Sequence, residues 1–385
     1  MQITGIVCEY NPLHLGHRKQ IRYLKSLGHT VVCLMSGNFV QRGHPAIFDK
    51  MTRAKAAMEA GADLVLELPV QYALSSAEGF AAGGVEILSK ICDQICFGAE
   101  NADADALMRL ATALLSKDFP EKLRVELDKG LSFPAARAAA AAAIGMDAAL
   151  LETPNNILAV EYCKAILAQN STLTPLPIFR QGSYHAMEAD GENPSATAVR
   201  SLIKQRTAWQ DFIPAESWEL FRNATVHTLE NNERSILSRL RIMTDEEFEA
   251  LPYGSEGLWR KLMHASRKCT SLEEVIAATK SKRYTRTRID RMILCAYLGL
   301  TAKDLVSPAP YCRVLAFNDA GRTILSKEKD SGFFVNIGTD TKHPYQCTER
   351  RCSSLYGLFA DKPESPNAEE KYRVFYQNAK TSGSD

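Results

Sequence analysis

The sequence predicts an α/β fold: a doubly wound parallel sheet followed by a mainly helical C-terminal region with a few short strands. Three observations predict it. Short apolar runs rich in β-branched residues alternate with segments of helical spacing as far as Ile203. Proline, glycine or asparagine punctuates the changes of pattern, as at Asn11-Pro12, Gly28, Pro69 and Gly98. Beyond Ile203 the strand runs become sparse and amphipathic helical patterns take over.

Ile3, Ile6, Val7 and Cys8 make residues 3–8 a buried strand of the central parallel kind. A turn at Asn11-Pro12 leads into a helix opening near His14, where proline costs no donor that the first turn would use. Gly28 ends that helix, and residues 30–35 form the second strand. Residues 36–43 read as a polar, glycine-flanked loop at a strand's C-terminal end, where substrate-facing residues sit in such folds. Gln41 and Arg42 within it have an equal claim to solvent. A helix over 49–60 carries the basic residues Lys50, Arg53 and Lys55. Strands over 63–68 and 93–97 flank a helix over 73–88. Residues 103–150 are alanine-rich helical scaffold. Asn155-Asn156 open a helix carrying Glu161 and Tyr162, and residues 176–180 make the fifth strand, with Arg180 emerging at its end. Tyr184 and His185 follow, and Ser195 to Arg200 lead into the next helix. The expected division is 1–204 and 205–385. In the second part, strands at 311–317 and 333–337 are expected to pack on the helices, and the tail beyond Pro363 is polar and frays after Lys380.

The 385 residues suffice for two or three domains, and the net charge of +1 selects no partner class. No basic leader precedes the first strand, and no apolar run reaches the ~18 residues of a membrane helix. The ten cysteines contain no CxxC pair and read as free thiols. Cys347, Cys352 and His343 lack the second close-spaced pair that a zinc site would show, so no metal site is assigned. The expectation is a soluble cytoplasmic protein with no membrane attachment and no obligatory protein partner.

The chemistry concentrates at the first helix. His14 and His17 stand one turn apart at a helix N-terminus, at the C-terminal edge of a parallel sheet. Free backbone N–H groups there favour an anion, and two imidazoles can hold phosphate oxygens as charge builds up on them. Gly16 between them lets a nucleotide approach the backbone. Arg180 emerges at a strand end, where its guanidinium can fork onto a phosphate, and Ser195 to Arg200 stand at a further helix start. A second cluster holds Lys280, Lys282, Arg283, Arg286, Arg288 and Arg291 against Asp290, with Tyr284 interleaved and able to stack on a base. Such a stripe is the footprint of a nucleic-acid backbone, or else a solvated helix face.

His14-Leu15-Gly16-His17 resembles the HxGH motif of nucleotidyltransferases and class I aminoacyl-tRNA synthetases. With Glu9-Tyr10-Asn11-Pro12 before it, the string resembles more closely the bacterial tRNA(Met) cytidine acetate ligases. Gly98-Ala99-Glu100, Pro154-Asn155-Asn156-Ile157-Leu158, Ser195-Ala-Thr-Ala-Val-Arg200 and Arg283-Tyr-Thr-x-x-Arg-Ile289 extend the likeness over nearly the whole chain. Leu13, where the family usually has Phe, and Leu15, where Asn is common, depart from it and alter the pocket wall. The resemblance implies a nucleotidyltransferase-like ATP-binding domain (1–204) and a tRNA-binding region (205–385). It implies activation of acetate by ATP as acetyl-adenylate, with Mg²⁺, and acetyl transfer to N4 of cytidine 34 of elongator tRNA(Met), releasing AMP and pyrophosphate. His14, His17 and Arg200 would be catalytic. Val7, Cys8, Glu9, Tyr10, Asn11, Pro12, Gly16, Gln20, Gly98, Asn155, Asn156, Arg180, Ser195 and Thr197 would bind the nucleotide, with Asn155 preferred to Asn156. Lys280, Lys282, Arg283, Arg286 and Arg288 would bind RNA. A small-molecule nucleotidyltransferase acting on a phosphorylated acceptor, or a non-catalytic RNA-binding protein, are the competing readings.

Overall fold

The computed structural model describes residues 2–180, 195–335 and 344–378. Tyr184, His185 and His343 lie outside them. The strands are β1 (Ile3–Cys8), β2 (Thr30–Ser36), β3 (Phe39–Val40), β4 (His44–Pro45), β5 (Leu64–Leu68), β6 (Gln94–Ala99), β7 (Thr174–Phe179), β8 (Cys312–Phe317), β9 (Phe334–Val335) and β10 (Phe375–Tyr376). One sheet runs β10-β8-β5-β2-β1-β6-β7, with β9 also on β8. From β5 to β7 all pairings are parallel. The order reverses between β1 and β6, which makes the crevice beyond their C-terminal ends the place for a ligand.

Strand β2 shows how both faces are covered. Val32 and Leu34 enter a core built with the helices Ala77–Leu88, Ala104–Leu114 and Pro154–Ala168. Val31, Cys33 and Met35 enter a second core with the helices Leu15–Ser26 and Lys50–Glu59. Successive side chains of a strand point to opposite faces, so a strand buried on both must be apolar throughout. A third core joins Glu233–Ile242, Leu258–Ser266, Leu272–Thr279 and Arg286–Leu298, and takes in Phe39 and Leu74 from the α/β part.

Two expectations change. The strand at 311–317 does not pack on the helical part. As β8 it pairs antiparallel with β5, Leu64 opposite Phe317, and carries β9 and β10 parallel to itself. Residues from both sides of the expected 204/205 division thus build one mixed sheet. Without β8 that edge of β5 would be a bare row of backbone donors and acceptors. The helix expected over 73–88 is two, Val70–Ala73 and Ala77–Leu88, because Ser76 caps the second by accepting from Gly79 N. In the alanine-rich helix Phe133–Ala143 the buried residues are Ala136, Ala140 and Ala141, so it packs by one face only.

Candidate active site

The loop after β1 is built to present the histidines. His14 caps the helix Leu15–Ser26: its Nδ1 accepts from Gly16 N at 3.1 Å, while its own N–H donates to His17 Nδ1 at 3.3 Å. The two rings stack with centroids 3.7 Å apart. Both Nδ1 atoms act as acceptors, so the hydrogen-bond pattern assigns the proton of each neutral ring to Nε2. His14 Nε2 is buried with no partner. Burial first, then the charges of Arg180 and Arg200, pushes the His14 pKa down to about 3. Burial, His14 and the same arginines also lower His17. The imidazoles are therefore neutral N–H donors near pH 7, and the positive charge of the site belongs to the arginines.

These groups surround a cleft of about 510 Å³ at the β1/β6 crevice, a volume that suits a nucleotide. Val7, Cys8, Glu9, Tyr10, Asn11, His17, Gln20, Gly98, Asn155, Arg180, Ser195, Thr197 and Arg200 line it. His14 stands behind His17; Pro12, Gly16 and Asn156 do not reach the lining. The Asn11-Pro12 peptide is cis. Arg200 is aimed by bonds to Asn11 O (2.7 Å) and Thr197 Oγ1 (3.1 Å). Ser195 caps its own helix through Ala198 N at 3.0 Å. Glu100 accepts from Asn155 Nδ2 (2.7 Å), Asn156 N (2.8 Å) and Thr153 Oγ1 (2.9 Å), which locks the start of the helix Pro154–Ala168. Asn156 is buried and its Oδ1 accepts from Asn101 N, so its side chain is spent on the turn.

Two features escaped the sequence in part or in whole. Gln41 and Arg42, left there between substrate and solvent, face the cleft. Their loop, closed by the hairpin β3–β4, docks on the helix Arg286–Leu298: Arg291 Nη1 donates to Gln41 O at 3.3 Å, and a Cβ on Gly43 (φ +80°) would stand 2.4 Å from Arg291 N. The other is Arg53, read as a basic helix-face residue but wholly buried. It donates to the carbonyls of Phe48, Glu9, Ser36 and Gly37, tying the ends of β1 and β2 together. Periodicity gives no signal for such a residue, since its partners are backbone atoms far off in sequence.

The basic stretch lies away from the cleft lining. Lys280 and Lys282 are exposed. Arg283 pairs with Glu256 at 2.6 Å, and Arg286 forks onto Glu273 with both bonds at 2.6 Å. Arg288 bonds to Tyr253 O and Ser255 Oγ, each at 2.9 Å. Tyr284 is buried and donates to Glu256 O, so it packs in the helical core and presents no stacking face, contrary to the sequence expectation. Among the described residues no group of three or more His, Cys, Asp or Glu could hold a metal ion, and Cys352 is buried in the helical core. No described helix is long and apolar enough to cross a membrane.

A family model for the HIGH nucleotidyl transferases matches residues 1–371. A tRNA(Met) cytidine acetate ligase of Clostridium novyi (strain NT) is 39% identical over 351 residues, covering 86% of this chain and 88% of the relative. One from Clostridium perfringens (strain SM101 / Type A) is 40% identical over 365 residues, covering 88% and 89%. The chain belongs to the tRNA(Met) cytidine acetate ligase family. The crystal structure of apo Thermotoga maritima TmcAL superposes with a TM-score of 0.91 at 29% identity, covering 98% of this chain and all of that one. The same protein bound with alpha-thio ATP gives 0.86 at 28% identity. The mixed sheet with flanking helices is thus the fold of this family.

Proposed function

We propose that the protein activates acetate with ATP and transfers the acetyl group to N4 of cytidine 34 of elongator tRNA(Met). The observation that carries this is the pair of stacked, neutral histidines beside Arg180 and Arg200, at the sheet's switch point, in a chain of this family. Acetate attacks the α-phosphorus and pyrophosphate leaves. His17 Nε2–H, and His14 Nε2–H once the phosphate reaches it, donate to the oxygens on which charge grows, while Arg180 and Arg200 neutralise the triphosphate. Ser195 and the N-terminus of the helix Ala196–Gln205 flank the departing phosphates. Asn155 and Gly98 border the nucleoside end. Mg²⁺ bound with the triphosphate would neutralise part of its charge, and the few protein ligands that the cleft offers suit an ion that keeps its waters. The cytidine enters unstacked, and the exposed Lys280 and Lys282 side of the helical region holds the RNA backbone.

The test follows pyrophosphate release from ATP with labelled acetate and total tRNA, then digests the tRNA to nucleosides. Label is expected in N4-acetylcytidine. Pyrophosphate release that ignores acetate, with no labelled nucleoside, would establish the small-molecule nucleotidyltransferase instead.

A further inference from the structure

We propose that Glu9 is a catalytic residue of the transfer step, the group that takes the proton from the cytidine N4 amine; this rests on the ligase reading above. Among the described residues lining the cleft, Glu9 is the one carboxylate, set against Arg42, Arg180, Arg200 and Lys204. A carboxylate repels a bare triphosphate; either Mg²⁺ on the phosphates or an amine losing a proton would account for it, and E9Q separates the two.

The side chain is held in place. It follows directly on β1, Gln41 N donates to its Oε1 at 2.8 Å, and Arg53 donates to its carbonyl at 2.6 Å. Its Oε2 has no hydrogen bond and no ion pair among the described residues, which leaves one lone-pair-bearing oxygen for a ligand. Two polar atoms of the same cleft are buried without partners: Gln41 Nε2 and the Tyr162 hydroxyl. Gln41 is bonded to Glu9 through its backbone, and the Glu9 charge reaches the Tyr162 phenol. One acceptor with two spare donors complements the edge of a cytosine, which offers an amine N–H and accepts at N3 and O2. In the step, the N4 lone pair forms the bond to the acyl carbon. The bond from that carbon to the AMP oxygen breaks, and its electron pair leaves with AMP. The N4 proton passes to Glu9 Oε2 and from there to water.

The test uses full-length E9Q, whose amide oxygen can still accept from Gln41 N. Acetate-dependent exchange of pyrophosphate into ATP, with already acetylated tRNA present, reads activation. Single-turnover labelling of unmodified tRNA reads transfer. Transfer is expected to fall about 100-fold further than exchange, as the loss of a general base predicts. Equal falls in both would reassign Glu9 to the nucleotide or its Mg²⁺, and undiminished transfer would remove it from the chemistry; either overturns the proposal. If E9Q does not fold, E9D, which keeps the charge on a shorter stem, is read by the same split. Absence of transfer by the parent protein would instead refute the ligase reading.

Discussion

Replacing Arg53 by methionine should cost more stability than any change to the exposed basic residues. The guanidinium is fully buried and donates to four carbonyls: Phe48 O at 2.9 Å, Glu9 O at 2.6 Å, Ser36 O at 3.0 Å and Gly37 O. Hydrogen bonds to a charged donor contribute about 1.5–3 kcal/mol each, so the four sum to roughly 6–12 kcal/mol. Burying the cation takes back several kcal/mol of that. Methionine fills similar volume but leaves four carbonyls facing it without donors. The net loss should be about 3–5 kcal/mol, a large part of the ~5–15 kcal/mol typical of a folded protein. R53K should fall between, because an ammonium donates at most three bonds and lacks the planar fork. The assay is the urea midpoint of parent, R53K and R53M with the slope checked for constancy. R53M within about 1 kcal/mol of the parent would mean that the strand ends hold without Arg53.

Other expectations follow from the same geometry. H14A and H17A should each lower acetate-dependent adenylate formation by about 10²–10³-fold with tRNA binding kept, measured by pyrophosphate exchange and filter binding; parent-like exchange in both would remove the histidines from the phosphate site. Because the His14 pKa falls from 6.5 to about 3 on folding, the unfolded chain binds its proton first as pH drops, and stability is lost below 6.5. His14 alone should cost about 2 kcal/mol between pH 6.5 and 5, and H14Q should flatten that slope in urea titrations. For tRNA binding, the double variant K280A/K282A should reduce the salt slope by up to about two, whereas R283A/R286A should reduce it less, because Glu256 and Glu273 already occupy those arginines. Equal slopes in the two double variants would mean that RNA displaces the carboxylates.

Local pattern alone was enough to place the parallel strands and the double histidine, whereas the switch point came from the strand order that the fold sets. An apolar run of strand length is buried wherever it lands, and an HxGH string after such a run stands at a helix start. It also placed Arg180, Ser195, Thr197 and Arg200, which open or close elements at the sheet's C-terminal edge. Whatever depends on distant partners came from the fold. Strand β8 joins β5 because an edge needs covering, and no local signal says which strand will do it. Tyr284 and Arg53 have the composition of a surface, yet both are buried, since backbone carbonyls from elsewhere in the chain satisfy them. Arg283 and Arg286 read as free cations until the fold brings Glu256 and Glu273 to them. One cause underlies these cases: hydrogen-bond and charge satisfaction is a property of pairs, and sequence patterns report only one member of each pair.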